Sequence, residues 1–371
     1  MKVLFITSSL FDAGGAERVI TTMANYWADK GWQVKIATLD DGGKAPFYNL
    51  SSSIEHKSLG IMFQSPNIIA SINNNFKRTR LIKHCILKSK PDVIISFLAK
   101  TNVRSLLANL GTNIPIIVSE RNHPYYFKPD FLTRHLRKLL YLKANYIVCQ
   151  TSQILDCFIS NRAKNGAVIA NPVIKPSNTV SEPEIYLPEG KVLLAAGSMS
   201  KAKTYQKGFD LLIPVFSRLA TKFDDWSLVI LGDGSERHDL QQEVRENNLE
   251  NRIILPGNVK DITSVFSFGD LFVLSSRFEG FPNVLGEAMA CGLPVVSFDG
   301  HTGAGEIIRE GVDGLLIPNQ DITALENALG ELFSNEAKRH KMGMKAKEVV
   351  FRFSLEKVMK QWEDLINASI K

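Results

Sequence analysis

The sequence predicts an α/β protein made of two successive, doubly wound parallel sheets of Rossmann-like pattern. Three observations lead there. Short, almost continuously apolar runs of strand length recur with amphipathic segments between them, which is how strands covered on both faces read. That alternation stops in a proline-bearing stretch and then begins again. The 371-residue length also exceeds what one core usually fills, so two domains of roughly 150–200 residues are expected. With 44% hydrophobic and 22% charged residues, 25 Gly, 15 Pro and 4 Cys, the composition excludes collagen-like, low-complexity and disulfide-scaffold classes.

The first strand is Lys2–Thr7, followed by a helix from about Gly15 to Lys30 whose apolar positions are Val19, Ile20, Met23, Ala24 and Trp27. Gly31 stands where a helix C-terminal glycine belongs, and Gln33–Leu39 is the next strand. Further strands fall at Pro91–Phe97, Ile114–Ser119 and Asn145–Cys149, with another ending at Val168-Ile169-Ala170. Residues 173–190, with Pro176, Pro183 and Pro188 and no helical period, suit a linker. The alternation resumes at Lys191–Ala196, Ser227–Leu231, Arg252–Leu255, Leu271–Ser275 and Pro294–Phe298. The expected organisation is therefore a domain at 1–172, a linker at 173–190 and a domain at 191–354. A last helix within 355–371 is expected to pack back on the first domain. In such sheets ligands bind at the carboxyl ends of strands, where Gly197, Gly232, Gly234, Gly257 and Gly300 fall.

Cys85, Cys149, Cys157 and Cys291 form no C-x-x-C pair and no metal-ligand spacing, which fits reduced thiols of a cytosolic protein. No apolar run approaches the roughly 18–20 residues of a membrane helix, and Val3–Ile6 reads as a buried strand rather than a signal peptide. Residues 71–145 carry fourteen Lys/Arg against three acidic residues, although the whole chain is only +6. Such asymmetry calls for an anionic partner of the first half.

Three segments carry chemistry. At Asp12-Ala13-Gly14-Gly15-Ala16-Glu17-Arg18 two glycines join a buried strand to a helix. They let backbone approach an anion, although the spacing fits a plain tight turn equally well and is not the G-x-G-x-x-G fingerprint. At Glu279-Gly280-Phe281-Pro282-Asn283-Val284-Leu285-Gly286-Glu287, Pro282 suits the first turn of a helix. Asn283, Val284 and Leu285 would then present unpaired amides to a phosphate. Glu279 and Glu287, eight positions apart, can serve opposite ends of one ligand. At Gly197–Gly208, Lys201, Lys203 and Lys207 could neutralise a diphosphate, or form a basic surface loop.

These residues resemble the family-four retaining glycosyltransferases of GT-B fold, in which two Rossmann-like domains face a central cleft. The likeness is carried by Gly-Gly-Ala-Glu-Arg at 14–18, Tyr-Gln-Lys-Gly-Phe-Asp at 205–210 and Leu-Gly-Asp-Gly at 231–234. It continues with Glu-Gly-Phe-Pro-Asn-Val-Leu-Gly-Glu-Ala-Met-Ala-Cys-Gly-Leu-Pro-Val-Val at 279–296 and Gly-Val-Asp-Gly-Leu-Leu-Ile-Pro at 311–318. It covers most of the chain, and the 279–296 run is highly specific.

The resemblance implies transfer of a hexose or N-acetylhexosamine from a UDP-sugar to a lipid-linked or growing surface-polysaccharide acceptor. Glu279 and Lys207 would be catalytic, with Glu279 facing the donor sugar. Glu287 would take the ribose hydroxyls, and Gly15, Lys207, Asn283, Val284 and Leu285 would cradle the diphosphate. Gly257, Asn258 and Val259 resemble the turn that holds the base. Gly14, Arg121, Asn122 and His123 are expected on the acceptor side. No Asp-x-Asp element stands at a donor site, so neither metal nor other cofactor is expected. The alternatives are a nucleotide-sugar epimerase and a non-catalytic nucleotide-sugar-binding scaffold; nucleic-acid binding has no motif behind it.

Two departures from the family pattern stand out. Ser198 follows Gly197 where the family usually has Arg, leaving Lys201 or Lys203 to compensate. The run Ser119-Glu120-Arg121-Asn122-His123-Pro124 resembles a Ser-Glu-Arg-Asn variant of a segment that often carries histidine, so His123 does not simply inherit that histidine's role. Finally, Phe131, Leu132, Leu136, Leu139 and Leu140 follow helical spacing beside Arg134, Arg137, Lys138 and Lys143. With the basic 77–90 segment, the 131–143 segment is expected to rest on an anionic membrane, at the cytoplasmic face of the plasma membrane. An ordinary core-facing helix with a charged outer face is the other reading.

Overall fold

The structure is a computed structural model describing residues 1–12, 14–62, 67–159, 165–176, 182–300 and 303–370; of residues 68–72, 159 and 202–204 it describes only the backbone. The chain divides into two compact units, Met1–Asn171 with Glu356–Lys371, and Pro172–Leu355. Residues 177–181 of the expected linker lie outside the described residues.

The first unit holds β1 (Lys2–Thr7), β2 (Gln33–Thr38), β3 (Glu55–Ser58), β4 (Val93–Phe97), β5 (Ile116–Ser119), β6 (Tyr146–Cys149) and β7 (Gly166–Val168). Among the described residues they form one parallel sheet in the order β3-β2-β1-β4-β5-β6-β7. The chain winds outward from β1 in one direction and, after β3, in the other from β4. The carboxyl edge at the β1/β4 boundary is therefore the topological switch point, where a parallel sheet opens a crevice. Ile6 pairs with Ser96 and Ser96 with Val118, so Thr7, Phe97 and Ser119 end three adjacent strands side by side.

The apolar strands are buried because helices cover both faces. The helix Gly15–Asp29 buries Val19, Ile20, Met23, Ala24 and Trp27, the stripe its sequence marks. Trp27 stacks against Phe5 and Trp32, with ring centroids 5.7 and 5.0 Å away. The last helix, Leu355–Ile370, buries Val358, Met359, Trp362 and Ile366. Its Glu363 carboxylate accepts hydrogen bonds from the Trp27 indole at 3.3 Å and from Lys30 at 2.9 Å.

The second unit repeats the design with β8 (Lys191–Ala196), β9 (Trp226–Leu231), β10 (Ile253–Gly257), β11 (Leu271–Leu274), β12 (Val295–Phe298) and β13 (Gly314–Ile317). These are again parallel, in the order β10-β9-β8-β11-β12-β13. Trp226 lies flat on Phe333 with centroids 3.9 Å apart, anchoring the helix Ile322–Ser334 to the sheet.

Three strands escaped the sequence reading or were displaced in it. β3 is a polar edge strand, Glu-His-Lys-Ser, with no apolar run to mark it. β13 is another edge strand, and β7 lies two residues before the expected strand end. Edge strands pack on fewer neighbours, which lets β3 be polar, while β13, Gly-Leu-Leu-Ile, is apolar but only four residues long. The expected basic loop after β8 contains a helix, Lys201–Lys207.

Truncating the fully buried Trp362 to Ala is expected to cost about 3–5 kcal/mol, the usual range for emptying an aromatic core site. Urea unfolding followed by circular dichroism checks this; a loss below about 1 kcal/mol contradicts the docking role of the last helix.

Candidate active site

The second unit gathers its chemistry at the carboxyl ends of β8 and β11. The helix Lys201–Lys207 ends at Gly208, which adopts the left-handed φ of 68° and starts the helix Phe209–Ala220. A Cβ on Gly208 would stand 2.1 Å from the Ser275 carbonyl oxygen, so both the turn and the close approach demand glycine here. The Ser275 hydroxyl donates to the Lys207 carbonyl at 2.8 Å, and the Arg277 amide donates to the Gln206 carbonyl at 2.8 Å. These bonds sew the loop after β11 to the helix that carries Lys207.

Lys207 then reaches Glu279. Its Nζ lies 2.6 Å from Glu279 Oε1, and both side chains are nearly buried. The Ser276 hydroxyl donates to Oε1 at 2.9 Å, while Gln206 Nε2 donates to Oε2 at 3.1 Å and to the Phe278 carbonyl at 3.0 Å. The carboxylate is thus held on both oxygens. Gly197 leaves room for the lysine stem, since a Cβ there would stand 2.7 Å from Lys207 Cδ and Cε. Behind the pair, Arg277 makes a fork to Asp210 at 2.8 and 2.7 Å. It also donates to the Tyr205 carbonyl at 2.6 Å and to Gln320 Oε1 at 2.9 Å. Gln206, Ser276 and the Arg277–Asp210 clamp were not singled out in the sequence. All lie within or beside the quoted motifs; Ser276 is three positions from Glu279, but Gln206 and Glu279 are seventy-three apart and Arg277 and Asp210 sixty-seven.

The helix Asn283–Ala290 begins one residue later than expected, with Pro282 at the cap position. The Leu285 amide consequently donates to the Pro282 carbonyl at 3.1 Å and is not an unpaired donor, which corrects the expectation for that residue. Asn283 and Val284 form the half-buried first turn, and Glu287 is buried further along the same helix. Burial, with the Glu287 charge adding to it, pushes the neighbouring Cys291 thiol up to about 11. Gly257 closes β10, where the pairing with β9 is irregular, and Asn258 and Val259 follow it. Arg237 lies beside Gly257 and donates to the Leu255 carbonyl, at 2.6 Å from Nη2. Ser198 and Lys201 are exposed, and the side chain of Lys203 lies outside the described residues. Among the described residues no group of three or more His, Cys, Asp and Glu side chains could hold a metal ion.

The first unit has its own polar cluster. Gly14 caps the helix Gly15–Asp29 without a side chain, and the Glu17 carboxylate folds back over it, 2.0 Å from where a Gly14 Cβ would stand. Burial raises the Glu17 pKa. Ala13 lies outside the described residues. Beyond β5, Glu120 accepts from the Tyr141 hydroxyl and sits 3.6 Å from Arg137. Burial raises Glu120, against the pull of Arg137 and Tyr141. It raises Tyr141 well above the ordinary phenol, with the Glu120 charge adding to the effect. Asn102 donates to the Tyr141 oxygen at 3.1 Å.

Arg121 donates to Asn171 Oδ1 and lies over the Phe97 ring, 4.6 Å from its centroid. Burial pulls its guanidinium down to about 9, which leaves it a cation at neutral pH. Asn122 is half-buried. The buried His123 is folded into its own loop, where its carbonyl accepts from the Tyr126 and Phe127 amides.

The basic segments also divide. On the helix Phe131–Leu140, Phe131, Leu132 and Leu139 are exposed, Phe131 at 71%, while Leu140 is buried and Leu136 packs on the core. Arg134, Lys138 and Lys143 are exposed beside those apolar residues, whereas Arg137 turns inward to Glu120. In the 77–90 segment Lys77, Arg80, Lys88 and Lys90 are exposed. Arg78 is buried and donates to the Ile61 carbonyl at 2.9 Å. No helix among the described residues is long and apolar enough to cross a membrane.

Two family profiles match the chain: one described as "Glycosyltransferase Family 4" over residues 13–174 and one described as "Glycosyl transferases group 1" over residues 189–349. A Campylobacter jejuni enzyme is 27% identical over 99% of this chain and 98% of its own. It is named GalNAc-alpha-(1->4)-GalNAc-alpha-(1->3)-diNAcBac-PP-undecaprenol alpha-1,4-N-acetyl-D-galactosaminyltransferase. An uncharacterized glycosyltransferase of Methanocaldococcus jannaschii is 30% identical over 71% of this chain and 72% of its own. Among solved structures, Anabaena HepE in complex with UDP-glucose has a TM-score of 0.77 at 19% identity, covering 99% of this chain and all of that one.

Because Lys207 and Glu279 are nearly buried together, each loses its partner when the other is neutralised. Lys207→Met and Glu279→Gln are each expected to destabilise by about 1–3 kcal/mol, with a coupling of about 1 kcal/mol or more in the double mutant. Urea denaturation of the four proteins checks this, and strictly additive losses contradict the pair.

Proposed function

The chain belongs to the family-four glycosyltransferases of GT-B fold, and from that premise we propose that it moves a hexose or N-acetylhexosamine from a UDP-sugar to a lipid-linked or growing surface glycan, with retention at the anomeric carbon. The observation that carries this reading is the Lys207–Glu279 pair, held by Ser276 and Gln206, with Glu279 four positions before the start of the helix that bears Glu287. A cation and a helix N-terminus together suit a leaving diphosphate, and a fixed carboxylate suits a sugar ring whose C1 gains positive charge. The C. jejuni relative is named for transfer to an undecaprenyl-diphosphate-linked glycan, and the HepE complex holds UDP-glucose; both names support the choice of donor and acceptor class.

In the reaction so read, the bond between C1 and the β-phosphate oxygen breaks as an acceptor hydroxyl attacks from the same face. The departing phosphate oxygen takes the hydroxyl proton. Lys207 leaves Glu279 to neutralise the β-phosphate, and Glu279 turns its freed oxygen to the sugar. Glu287 takes the ribose hydroxyls, and the turn Gly257-Asn258-Val259 takes the base. The protein's own cation and amides do the work that a divalent ion does elsewhere, so EDTA is expected to leave the rate unchanged; a rate lost to EDTA and restored by Mg²⁺ contradicts this.

The face formed by Phe131, Leu132, Leu139, Arg134, Lys138 and Lys143 supports attachment to an anionic leaflet, where the acceptor's lipid resides, on the cytoplasmic side. Each basic residue near such a surface contributes about 1 kcal/mol. Flotation with phosphatidylglycerol vesicles is expected to recover the protein at low salt and to lose it at high salt, and salt-indifferent binding counts against the idea.

Glu279→Ala is expected to lower kcat about 100-fold or more while leaving UDP binding within about threefold. Transfer assays with labelled donor, paired with UDP calorimetry, measure both; near-normal kcat contradicts the role of Glu279.

A further inference from the structure

Arg121 is a buried cation with no carboxylate facing it. The residue is only 7% exposed, and its Nη1 bond goes to the neutral amide of Asn171. Nε and Nη2 have no acceptor among the described residues. The adjacent Glu120 is committed to Tyr141 and Arg137 instead. The titratable group that bears on Arg121 is Cys149, a thiol that burial keeps protonated. A folded chain keeps a buried, uncompensated charge only at a cost, and such a group is the usual mark of a missing ligand. The two bare nitrogens form one edge of the guanidinium, the fork that matches two oxygens of a carboxylate or phosphate.

The surroundings point the same way. Thr7 Oγ1, Ser119 Oγ, Asn102 Oδ1 and Gln150 Oε1 are also buried without a partner among the described residues. Thr7 and Ser119 end β1 and β5, Gln150 directly follows β6, and Phe97, under the guanidinium, ends β4 between them. Unused hydroxyl and amide groups therefore lie at the carboxyl edge of the first sheet, at its switch point, on the strand ends next to the Phe97 ring that carries the cation. Such a mixture fits a molecule with several hydroxyls and one oxyanion.

We propose that this edge of the first unit is a binding site for an acidic sugar, whose carboxylate or phosphate seats on the Nε/Nη2 edge of Arg121 while Thr7, Ser119 and Gln150 take its hydroxyls. In calling that sugar the acceptor, the proposal rests on the glycosyltransferase reading above; the binding itself does not.

Calorimetry on the full chain with methyl glucuronide, glucose 6-phosphate, neutral methyl glucoside and UDP tests it, in wild type and in Arg121→Gln. At least one acidic sugar is expected to bind the wild type about tenfold or more tighter than the glucoside. The tighter of the two identifies the oxyanion as carboxylate or phosphate. Arg121→Gln is expected to erase the preference and to leave UDP affinity unchanged. Equal affinity of the wild type for all three sugars overturns the proposal, as does a preference that survives the substitution. A loss of UDP affinity in Arg121→Gln also overturns it, because the oxyanion is then the donor's diphosphate. Wild type that binds an acidic sugar but not UDP keeps this site and sinks the donor reading instead. The ligand-free Arg121→Gln protein is expected to melt no lower than wild type, since a ligand site holds its cation at the expense of stability. A melting temperature lower by about 5 °C or more marks Arg121 as structural and overturns the site.

Discussion

A lysine and a glutamate seventy-two positions apart share one nearly buried ion pair, and the geometry of the second unit follows from holding them together. Lys207 ends a seven-residue helix, and Glu279 lies on the loop after β11. Neither element is anchored by its own length. The left-handed turn at Gly208, the Ser275 and Arg277 backbone bonds and the Arg277–Asp210 fork do the anchoring. The pair is consequently preorganised yet exchangeable: a lysine on a flexible stem can leave a carboxylate for a phosphate without moving the backbone.

The first unit treats charge in the opposite way. Glu120, Arg137 and Tyr141 satisfy one another, while the neighbouring Arg121 is left without an acid although it is equally buried. Adjacent residues pointing to different partners is a consequence of extended backbone leaving a strand. It gives one carboxylate a closed network and leaves one guanidinium open. A satisfied network rigidifies, and an unsatisfied cation waits for a ligand.

The parallel α/β architecture was legible because its central strands are apolar on both faces, as Val3–Ile6 and Val93–Phe97 illustrate, and because the stripe from Val19 to Trp27 has a helical period. Edge strands such as Glu55–Ser58 were not legible, since a polar edge carries no such mark. The glutamates, Lys207 and Arg121 could be picked from motifs. The groups that hold them could not: Gln206 to Glu279 and Arg277 to Asp210 are contacts between segments that follow two neighbouring strands, which spacing does not encode. One local detail also went astray. Pro282 caps the helix rather than opening it, and the Leu285 amide is thereby used up. The basic segments mislead in the same manner, because charge counting cannot tell the inward Arg78 and Arg137 from their exposed neighbours.

We propose above that the Lys207–Glu279 site passes a sugar from a nucleotide diphosphate to a lipid-borne glycan. Incubating the protein with a panel of labelled UDP-sugars and a bacterial lipid extract, then assigning the anomeric configuration of the product by NMR, tests it most directly. The account predicts that label from one donor enters the organic phase in the configuration it had in the nucleotide sugar. Label that stays in water for every donor, or that appears in the lipid with inverted configuration, would contradict it.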